Sequence, residues 1–356
     1  MSVRIICGDV FDALAGLPDD SVDCCVTSPP YWGLRDYGVP GQIGLEPTLA
    51  EHIETIVCVF EEVRRVIKPT GVCWLNYGDC YATKPNGRSA AATKAAGGDD
   101  RTFRDKPFST IGAGIKAKDL CLIPARLSIA LCDAGWYVRA KVIWHKPNPM
   151  PESVRDRPAT CYEEIFQLTK QPRYFWNKEA VKEPITASSA KRLAQDVDAQ
   201  DGSTRANGGS RTGRPMKAVG GPRSRGVPPR HASASNSDRA GLDDVGRGGL
   251  RNLRNVWTVA PKPFKEAHFA TFPPKIVETC LKGGCPKGGL VLDPFGGAGT
   301  TALVAEQLGH SAILIELNPE YIDIAQQRIR RETGTEARVQ YAATSDQQNL
   351  ISEMLK

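Results

Sequence analysis

The amino-acid sequence predicts an α/β fold built on a doubly wound, mainly parallel sheet. Two short apolar runs near the start, Val3–Cys7 and Val22–Ser28, are rich in β-branched residues or cysteine and are bounded by Gly, Pro and Asp, as buried parallel strands are. From Leu290 to Glu316, a strand, a glycine-rich turn, a helix and a second strand with a terminal acid follow one another, which is the pattern of a nucleotide-binding unit. The length of 356 residues suits one such domain with insertions.

The other predicted elements alternate in the same way. Apolar residues at spacings of three and four predict a helix over 48–67, which ends at the KPTG segment, Lys68–Gly71, before a strand that starts with GVCWLNYGD. The later elements are a helix over 119–133, a strand over 137–144, a strand in CYEEIFQLTK, a helix after Phe272-Pro273-Pro274, a helix over 300–308, a strand over 312–316 and a helix over 319–331.

This pattern predicts four regions along the chain. Residues 1–184 form the first half of one domain and include a mobile loop over about 81–118, where the periodicity is lost. Residues 185–255 form a basic insert rich in Gly, Ser and Pro. Residues 256–332 form the second half of the same domain, and residues 333–356 form a tail with only a weak secondary-structure pattern.

Charge and cysteine content narrow the class of protein. Residues 185–255 hold thirteen Lys and Arg against six Asp and Glu, and both a solvated linker and a phosphate-binding surface fit this composition. No run approaches the roughly 18 apolar residues of a membrane span, and the start lacks the pattern of a signal peptide, so we expect a cytoplasmic protein. The eleven cysteines are odd in number, and Cys280 and Cys285 have no second Cys/His pair nearby, so we expect reduced thiols and no metal site.

The turn VLDPFGGAGTT is the first candidate site. Its glycines lie between a strand and a helix, where the missing Cβ atoms let a ligand approach the backbone. The lysine of a phosphate-binding GxxxxGK[ST] loop is absent, and the DPF sequence differs from a dinucleotide fingerprint. Glu316 ends the next strand, where a carboxylate typically binds ribose hydroxyls. Together these features predict a binding site for a cofactor that contains a ribose.

The segment TSPPYW, Thr27–Trp32, is the second candidate site. It directly follows a predicted strand and therefore lies at the carboxyl edge of the sheet, where ligands bind in open α/β folds. Two prolines stiffen the turn, and the Ser28 hydroxyl and a backbone carbonyl, such as that of Pro29, can accept hydrogen bonds from an amino group. Tyr31 offers a ring for stacking on a base, and Trp32 can extend that wall. A plain Pro-Pro turn that is capped by core aromatic residues is the alternative.

Several segments together resemble the amino-methylating DNA methyltransferases. They are TSPPYW, DPFGGAGTT with IELNPEY, HFATFP at 268–273, the Gly8-Asp9 pair and WHKP at 144–147. The catalytic motif precedes the cofactor motif, which resembles the circularly permuted beta class over nearly the whole chain except the two inserts. The resemblance implies a Rossmann-like S-adenosylmethionine-dependent methyltransferase fold, with residues 185–255 as an inserted target-recognition region.

The resemblance also assigns roles to individual residues. The implied catalytic residues are Ser28, Pro29, Pro30 and Tyr31. The implied cofactor contacts are Asp9, Thr271, Phe272, Pro273, Asp293, Pro294, Phe295, Gly296, Gly297, Gly299, Thr300 and Glu316. The implied DNA or base contacts are Trp32, Arg35, His145 and Lys146. Asp9 can instead be a helix cap, Phe272 a staple at a helix start, Arg35 part of an ordinary ion pair and His145 a surface turn residue.

The resemblance implies methyl transfer from S-adenosyl-L-methionine to the exocyclic N4 of a flipped cytosine in double-stranded DNA, because in the family a Ser before Pro-Pro-Tyr goes mostly with cytosine. Adenine N6 is the alternative base, since both bases present the same amino-group geometry. Less favoured alternatives are a non-catalytic DNA-binding relative and a protein glutamine-amide methyltransferase. The sequence leaves open a cognate restriction endonuclease as partner, and a monomer or a homodimer.

Overall fold

The computed structural model describes residues 2–84, 108–188, 249–261 and 273–343. The chain divides into two units: one comprises Met1–Asn177 with Asn255–Lys356, and the other comprises Lys178–Arg254. Within the described ranges, no helix has both the length and the apolar character needed to cross a membrane.

A nine-stranded sheet organises the first unit. Its strands are β1 Val3–Cys7, β2 Val22–Thr27, β3 Ile67–Tyr77, β4 Tyr137–His145, β5 Tyr162–Thr169, β8 Val256–Thr258, β9 Leu290–Asp293, β10 Ser311–Glu316 and β11 Arg338–Tyr341, in the spatial order β11-β1-β10-β9-β2-β3-β5-β4-β8. Only β5 pairs antiparallel with its neighbours; every other pairing in this sheet is parallel. The prediction of a mainly parallel α/β fold is therefore confirmed.

The sheet order brings the two predicted sites together. Strands β9 and β10, which carry the glycine-rich turn and Glu316, lie between β1 and β2 and pair with them. The carboxyl ends of β1, β2, β3, β4, β9 and β10 consequently share one edge of the sheet with the amino end of the reversed strand β5. In a parallel sheet this edge is where ligands bind.

Helices cover the sheet. They are α1 Val10–Ala15, α2 Leu49–Val66, α3 Ile123–Asp133, α4 Pro274–Gly284, α5 Thr300–Gln307 and α6 Pro319–Thr333. Helix α2 begins at a capping box, in which the Thr48 hydroxyl accepts from the Glu51 N–H at 3.2 Å and the Glu51 carboxylate accepts from the Thr48 N–H at 2.9 Å. Its apolar stripe, which includes Ile56, Phe60 and Val63, is fully buried and anchors the helix to the core.

Three boundaries differ from the sequence prediction. Strand β3 already begins at Ile67, so the KPTG segment lies inside the strand, at the irregularity between the pairs Val22–Ile67 and Cys24–Val72 with β2, where Pro is tolerated. Helix α3 begins at Ile123 rather than at residue 119. Residues 108–118, assigned to a mobile loop, contain a hydrogen-bonded turn between Gly112 and Ile115. Residues 85–107 of that loop lie outside the described residues.

The predicted tail also contains a strand. Strand β11 pairs in parallel with β1, from Arg4 opposite Arg338 to Cys7 opposite Tyr341. The Ala342 N–H continues this pairing by donating to the Cys7 carbonyl at 2.8 Å. Four residues with one partly buried face leave little hydrophobic pattern, which explains why the sequence does not reveal this edge strand.

The second unit contains the region of the predicted insert. Its described residues form the two-stranded antiparallel sheet of β6 Glu183–Pro184 and β7 Leu250–Arg251. The Glu183 carboxylate accepts from the Arg251 guanidinium at 3.2 Å and from the Arg254 guanidinium at 3.0 Å. The chain therefore enters and leaves the segment 189–248, which lies outside the described residues, through paired strands.

Candidate active site

A cavity of about 760 Å³ opens at the carboxyl edge of the sheet. This volume lies in the usual range of small-molecule sites. The predicted catalytic turn and the predicted cofactor turn both line it. The two turns are joined directly, because the Thr27 hydroxyl at the end of β2 donates to the Asp293 carboxylate at the end of β9 at 2.7 Å, across 266 positions of sequence. Both motifs therefore belong to a single site.

Most of the predicted site residues line this cavity. They are Asp9, Ser28, Pro29, Pro30, Tyr31, Arg35, Lys146, Asp293, Pro294, Phe295, Gly296, Gly297, Thr300 and Glu316. Trp32, His145, Pro273 and Gly299 are not among the described residues that line it. Thr271 and Phe272 lie outside the described residues.

The glycine-rich turn combines open space with tight packing. Gly297 has a φ of +47°, and a Cβ built on it would meet nothing within 4 Å, so the backbone there is open to a ligand. Gly299 has a φ of +77°, and a Cβ there would lie 2.9 Å from that of Ala325 in α6. Gly299 is thus required for helix packing rather than for the predicted cofactor contact.

The buried Asp293 carboxylate accepts hydrogen bonds from both parts of the site. One carboxylate oxygen accepts from the Thr27 hydroxyl and from the Phe295 N–H at 3.1 Å, and the other accepts from the Thr301 hydroxyl at 2.7 Å. Burial raises the pKa of Asp293 to about 7, against the hydrogen bonds from the two threonines, and the nearby Glu316 raises it further. Through these hydrogen bonds, Asp293 joins strand β2, which leads into the catalytic turn, to the cofactor turn.

We expect Asp293 to make folding stability depend on pH. Because its pKa is raised in the folded protein, the folded state holds this proton more tightly than the unfolded chain. The stabilisation of the folded state by protonated Asp293 is therefore fully present below about pH 4. It is lost as pH rises towards 7, with a slope of up to about 1.4 kcal/mol per pH unit. Urea denaturation without cofactor checks this. The free energy of unfolding of the wild type, minus that of Asp293→Asn, should fall between about pH 5 and pH 7.5, and parallel profiles would contradict it.

Glu316 joins the glycine-rich turn to the start of helix α6. Its carboxylate accepts from the Gly297 N–H at 2.8 Å and from the Asn318 N–H at 2.9 Å. Burial raises the pKa of Glu316, and these backbone donors oppose that rise. A carboxylate oxygen has two acceptor directions, so each oxygen can still accept from a ribose hydroxyl. The predicted ribose contact stays a prediction that this geometry permits.

Arg35 and Tyr37 lie close to Glu316 in the cavity wall. Burial raises the pKa of Tyr37, while a hydrogen bond from Arg35 opposes the rise. Tyr321 of helix α6 lines the same cavity, and burial raises its pKa. Arg35 therefore lines the cavity that holds the cofactor turn, and its predicted DNA contact stays a prediction.

Asp9 and Pro273 both mark helix starts. Asp9 caps α1 by accepting from the Phe11 N–H at 2.8 Å, and it also lines the cavity. The alternative of a helix cap is therefore correct, and it leaves the second carboxylate oxygen for the predicted adenine contact. Pro273 is the N-cap of α4 and is not among the lining residues, so the structure gives no support to its predicted cofactor contact.

The catalytic turn presents Ser28 and Tyr31 side by side. The Ser28 hydroxyl donates to the Tyr31 hydroxyl at 3.3 Å, and the Tyr31 hydroxyl donates to the Glu163 carboxylate at 2.8 Å. The Tyr31 ring stacks on that of Tyr77 with centroids 4.6 Å apart. A Cβ at Gly78 would lie 2.6 Å from the Tyr31 ring, so only glycine admits the ring in this position. One face of Tyr31 is thus held rigidly by the protein.

A buried hydrogen-bond network around His52 supports the catalytic turn. The Glu46 carboxylate contacts His52 Nδ1 at 2.8 Å, and His52 Nε2 lies 2.6 Å from the Tyr77 hydroxyl. The Tyr77 hydroxyl also lies 3.3 Å from the Pro30 carbonyl and accepts from the Trp32 N–H at 3.1 Å. His52 is fully buried, so this chain of contacts fixes the backbone on which the acceptors are mounted.

Trp32 does not extend the wall for a base. Its side chain is buried in the core, and its indole N–H donates to the Glu46 carbonyl at 2.9 Å. The prediction of a pocket contact for Trp32 is therefore wrong, and the alternative of a core aromatic residue is correct at this position. A buried indole N–H usually finds an acceptor, and for Trp32 the Glu46 carbonyl supplies it.

Alternation along β4 separates His145 from its neighbours. Trp144 and Lys146 line the cavity, whereas His145 points to the other face, where its Nδ1 lies 3.2 Å from the Thr258 hydroxyl. Successive side chains of a strand face opposite sides. His145 is therefore not a lining residue of the cavity, while Lys146 lines it and its predicted base contact stays a prediction.

The structure adds two polar residues that sequence analysis missed. Asn76 at the end of β3 donates from Nδ2 to the Tyr31 hydroxyl and to the Glu163 carboxylate, each at 2.8 Å. Glu163 also forms an ion pair with Lys146. A pair of acids at the start of a strand, as in CYEEIFQLTK, was the available signal, because a strand that begins in carboxylates and then becomes apolar places them at the edge of the sheet.

The geometry defines a class of protein. Two carboxylates, Asp9 and Glu316, line one cavity with an open glycine turn, and this set suits a cofactor that carries a ribose. Beside it stands a turn of hydrogen-bond acceptors with a rigid aromatic ring. Such a site suits a group-transfer enzyme.

The N6_N4_Mtase family, whose description is DNA methylase, matches residues 22–327. The chain belongs to this family of DNA methylases.

Similar relatives include two type II methyltransferases. M.XycI of Xanthomonas campestris pv. cyanopsidis is 38% identical over 332 residues, which cover 93% of this chain and 89% of the relative. M.SmaI of Serratia marcescens is 37% identical over 340 residues, which cover 93% of this chain and 91% of the relative. These relatives match the chain over nearly its whole length, so the likeness includes both motifs.

Solved structures share the fold. A putative DNA modification methylase of Thermus thermophilus in complex with S-adenosyl-L-methionine matches with a TM-score of 0.54 and 22% identity, over 96% of this chain and 99% of that chain. The PvuII DNA methyltransferase, described as cytosine-N4-specific, matches with a TM-score of 0.56 and 17% identity, over 93% of this chain and 86% of that chain.

Proposed function

We propose that this protein transfers a methyl group from S-adenosyl-L-methionine to the exocyclic N4 of a cytosine that is flipped out of double-stranded DNA. The observation that carries the proposal is the shared cavity, in which the Ser28–Tyr31 turn and the Asp293–Glu316 unit meet. The order of the motifs, with the catalytic turn first, supports the circularly permuted beta class.

The cofactor half of the cavity suits S-adenosylmethionine. Glu316 and Asp9 offer carboxylate oxygens for the ribose and adenine portions, and the open backbone at Gly297 gives close access. Asp293 and the turn that follows it face the methionine portion. When bound, the cofactor supplies a methyl group made electrophilic by its sulfonium.

The hydrogen-bond acceptors of the catalytic turn suit an exocyclic amino group. The lone pair of this nitrogen is delocalised into the ring, so the nitrogen is a poor nucleophile until it becomes pyramidal. Acceptors aimed at its two N–H groups favour the pyramidal geometry of the transition state. The Ser28 hydroxyl and the Pro29 carbonyl are suited to this role. The free face of Tyr31 stacks on the base that must leave the duplex to be reached.

Two observations favour cytosine over adenine. Ser28 stands before Pro-Pro-Tyr, and the Lys146 ammonium lines the same cavity. Cytosine places two acceptors, N3 and O2, beside its amino group, whereas the corresponding edge of adenine has only N1, so a nearby cation favours cytosine. A further relative, M.PvuII of Proteus hauseri, is 25% identical over 88% of this chain, and the PvuII enzyme is described as cytosine-N4-specific.

The test is direct. Purified protein is incubated with labelled S-adenosylmethionine and unmethylated double-stranded DNA, and the digested nucleosides are separated by mass. We expect label in N4-methylcytosine, and single-molecule sequencing of the product gives the recognition site. Label in N6-methyladenine would overturn the choice of base, and the absence of label would overturn the activity. A cognate restriction endonuclease remains a further expected partner of such a methylase.

The basic insert is proposed to bind the target DNA. Because β6 and β7 pair at its base, residues 189–248 can be replaced by a short turn without opening that hairpin. This deletion removes eleven Lys and Arg against six Asp and Glu. We expect the full chain to lose DNA affinity steeply with salt and the deleted protein to bind at least about 100-fold more weakly with a smaller salt slope, because fewer phosphate contacts release fewer counterions.

Fluorescence anisotropy with one labelled duplex at several salt concentrations measures both quantities. Cofactor binding serves as the control for folding, since the cofactor half of the cavity is built from other residues. Unchanged DNA affinity after the deletion would refute the role of the insert.

A further inference from the structure

Glu163 lies in the site but belongs to neither sequence motif. It lies at the start of β5, the antiparallel strand, and lines the cavity with Ser28 and Tyr31. One of its oxygens accepts from the Tyr31 hydroxyl and from the Asn76 amide, and the other pairs with Lys146. This carboxylate therefore has direct hydrogen-bond access to the catalytic turn.

The hydrogen bonds run in one direction from Ser28 to Glu163. The Ser28 hydroxyl donates to the Tyr31 hydroxyl at 3.3 Å, which donates to Glu163 at 2.8 Å. Burial and the charge of Glu163 raise the pKa of Tyr31, so its hydroxyl keeps its proton. A protonated hydroxyl can accept on one side while it donates on the other.

Methylation of an amino group requires a place for one proton. The amino nitrogen forms its bond to the methyl carbon as the carbon–sulfur bond breaks and leaves its electron pair on sulfur. The nitrogen then carries a positive charge and must release one of its protons to give the neutral methylamino product. Neither the Ser28 hydroxyl nor a backbone carbonyl can keep that proton at neutral pH.

We propose that Ser28, Tyr31 and Glu163 form a proton relay that ends on Glu163. The amino nitrogen gives its proton to Ser28 Oγ, Ser28 gives its own to the Tyr31 hydroxyl, and Tyr31 gives its own to Glu163 Oε2. One proton leaves the base, one arrives on the carboxylate, and both hydroxyls end as they began. This proposal rests on the proposed function, because it needs an amino substrate beside Ser28.

The charges around Glu163 suit a proton acceptor. Lys146, directly after β4, pairs with it, while Tyr31 and Asn76 contact it from the catalytic turn and from β3. The neighbouring acid Glu164 faces the other side of the sheet, where it pairs with Lys141 at 2.8 Å. The ion pair with Lys146 places a positive charge beside the carboxylate that is proposed to accept the proton.

The test uses Glu163→Gln, which keeps the shape and the hydrogen bond from Tyr31 but cannot take up a proton. Glu164→Gln is the matched control, since it changes the adjacent acid outside the cavity. Single-turnover methylation of DNA is measured against pH, with cofactor and DNA binding measured separately. We expect a loss of about 100-fold in rate for Glu163→Gln, and less than about threefold for Glu164→Gln.

The pH profile separates a proton acceptor from a positioning residue. The wild-type rate should fall at acid pH, and Glu163→Gln should lose this acid limb, because it has no carboxylate to take up the proton. A Glu163→Gln rate within about threefold of the wild type, or an acid limb that survives in it, would overturn the relay.

A double variant adds an independent check. Tyr31→Phe removes the middle hydroxyl but keeps the ring, so the Tyr31→Phe/Glu163→Gln protein should be no slower than the slower single variant. Multiplying losses would contradict a single path. If the wild type labels no DNA, the proposed function fails; if it labels DNA and these variants behave otherwise, only the relay fails.

Discussion

The Ser28→Ala/Tyr31→Ala double variant should lose DNA methylation by at least about 1,000-fold while it still binds S-adenosylmethionine. The Ser28 hydroxyl is the acceptor nearest to the amino group in the proposed reaction, and Tyr31 supplies both the stacking ring and the hydroxyl that contacts Glu163 at 2.8 Å. Both side chains act only when the base is present, so the loss should fall on the methyl-transfer step. Single-turnover labelling of DNA measures the rate, and isothermal calorimetry measures cofactor binding.

The control for this pair is Ser21→Ala/Tyr137→Ala. Tyr137 is exposed on the sheet, and neither residue lines the cavity. This protein should methylate DNA at the wild-type rate. If the Ser28/Tyr31 variant keeps undiminished transfer, the assignment of the catalytic turn is wrong, whatever the base turns out to be.

The Glu316→Ala variant should weaken S-adenosylmethionine binding by about 100-fold, or about 2.7 kcal/mol. The carboxylate holds the Gly297 and Asn318 N–H groups at 2.8 and 2.9 Å, so its loss leaves two donors without their acceptor and loosens the glycine-rich turn. It also removes the acceptors proposed for the ribose. Calorimetric titration of the cofactor into the variant measures the change.

Glu320→Ala is the matched control for this variant. Glu320 lies in the first turn of the same helix, α6, and is exposed. Its removal should leave the dissociation constant within about twofold, since surface substitutions have small effects. Equal affinities for Glu316→Ala and the wild type would remove Glu316 from the cofactor site. DNA binding in the absence of cofactor should be the same in all three proteins.

The residues that sequence analysis located correctly are those at the ends of parallel strands. Ser28, Asp293 and Glu316 each follow or end a short apolar run, and in a parallel sheet such ends gather at one edge. The chain order does not matter for this inference, because the edge is common to all parallel strands. This is why two motifs 266 positions apart could be assigned to one site.

The residues that it missed depend on pairings that local patterns do not reveal. Glu163 reaches Tyr31 only because β5 runs antiparallel between β3 and β4. The sequence of a single strand does not indicate in which direction it runs in the sheet. His52 is one buried histidine on a helix until Tyr77 of another strand lies 2.6 Å away. The prediction for Trp32 was wrong for the same reason: it follows Tyr31 directly, yet its indole N–H donates to the Glu46 carbonyl and its ring lies in the core.

The sheet order has a consequence for synthesis of the chain. The strands made first, β1 and β2, are not neighbours; the places between them belong to β9 and β10, which are made after every other strand except β11. A nascent chain that stops before Leu290 therefore has a central gap in its sheet and two strand edges without their final partners. The cavity cannot be complete until the last third has left the ribosome, so a prematurely terminated product should not methylate DNA.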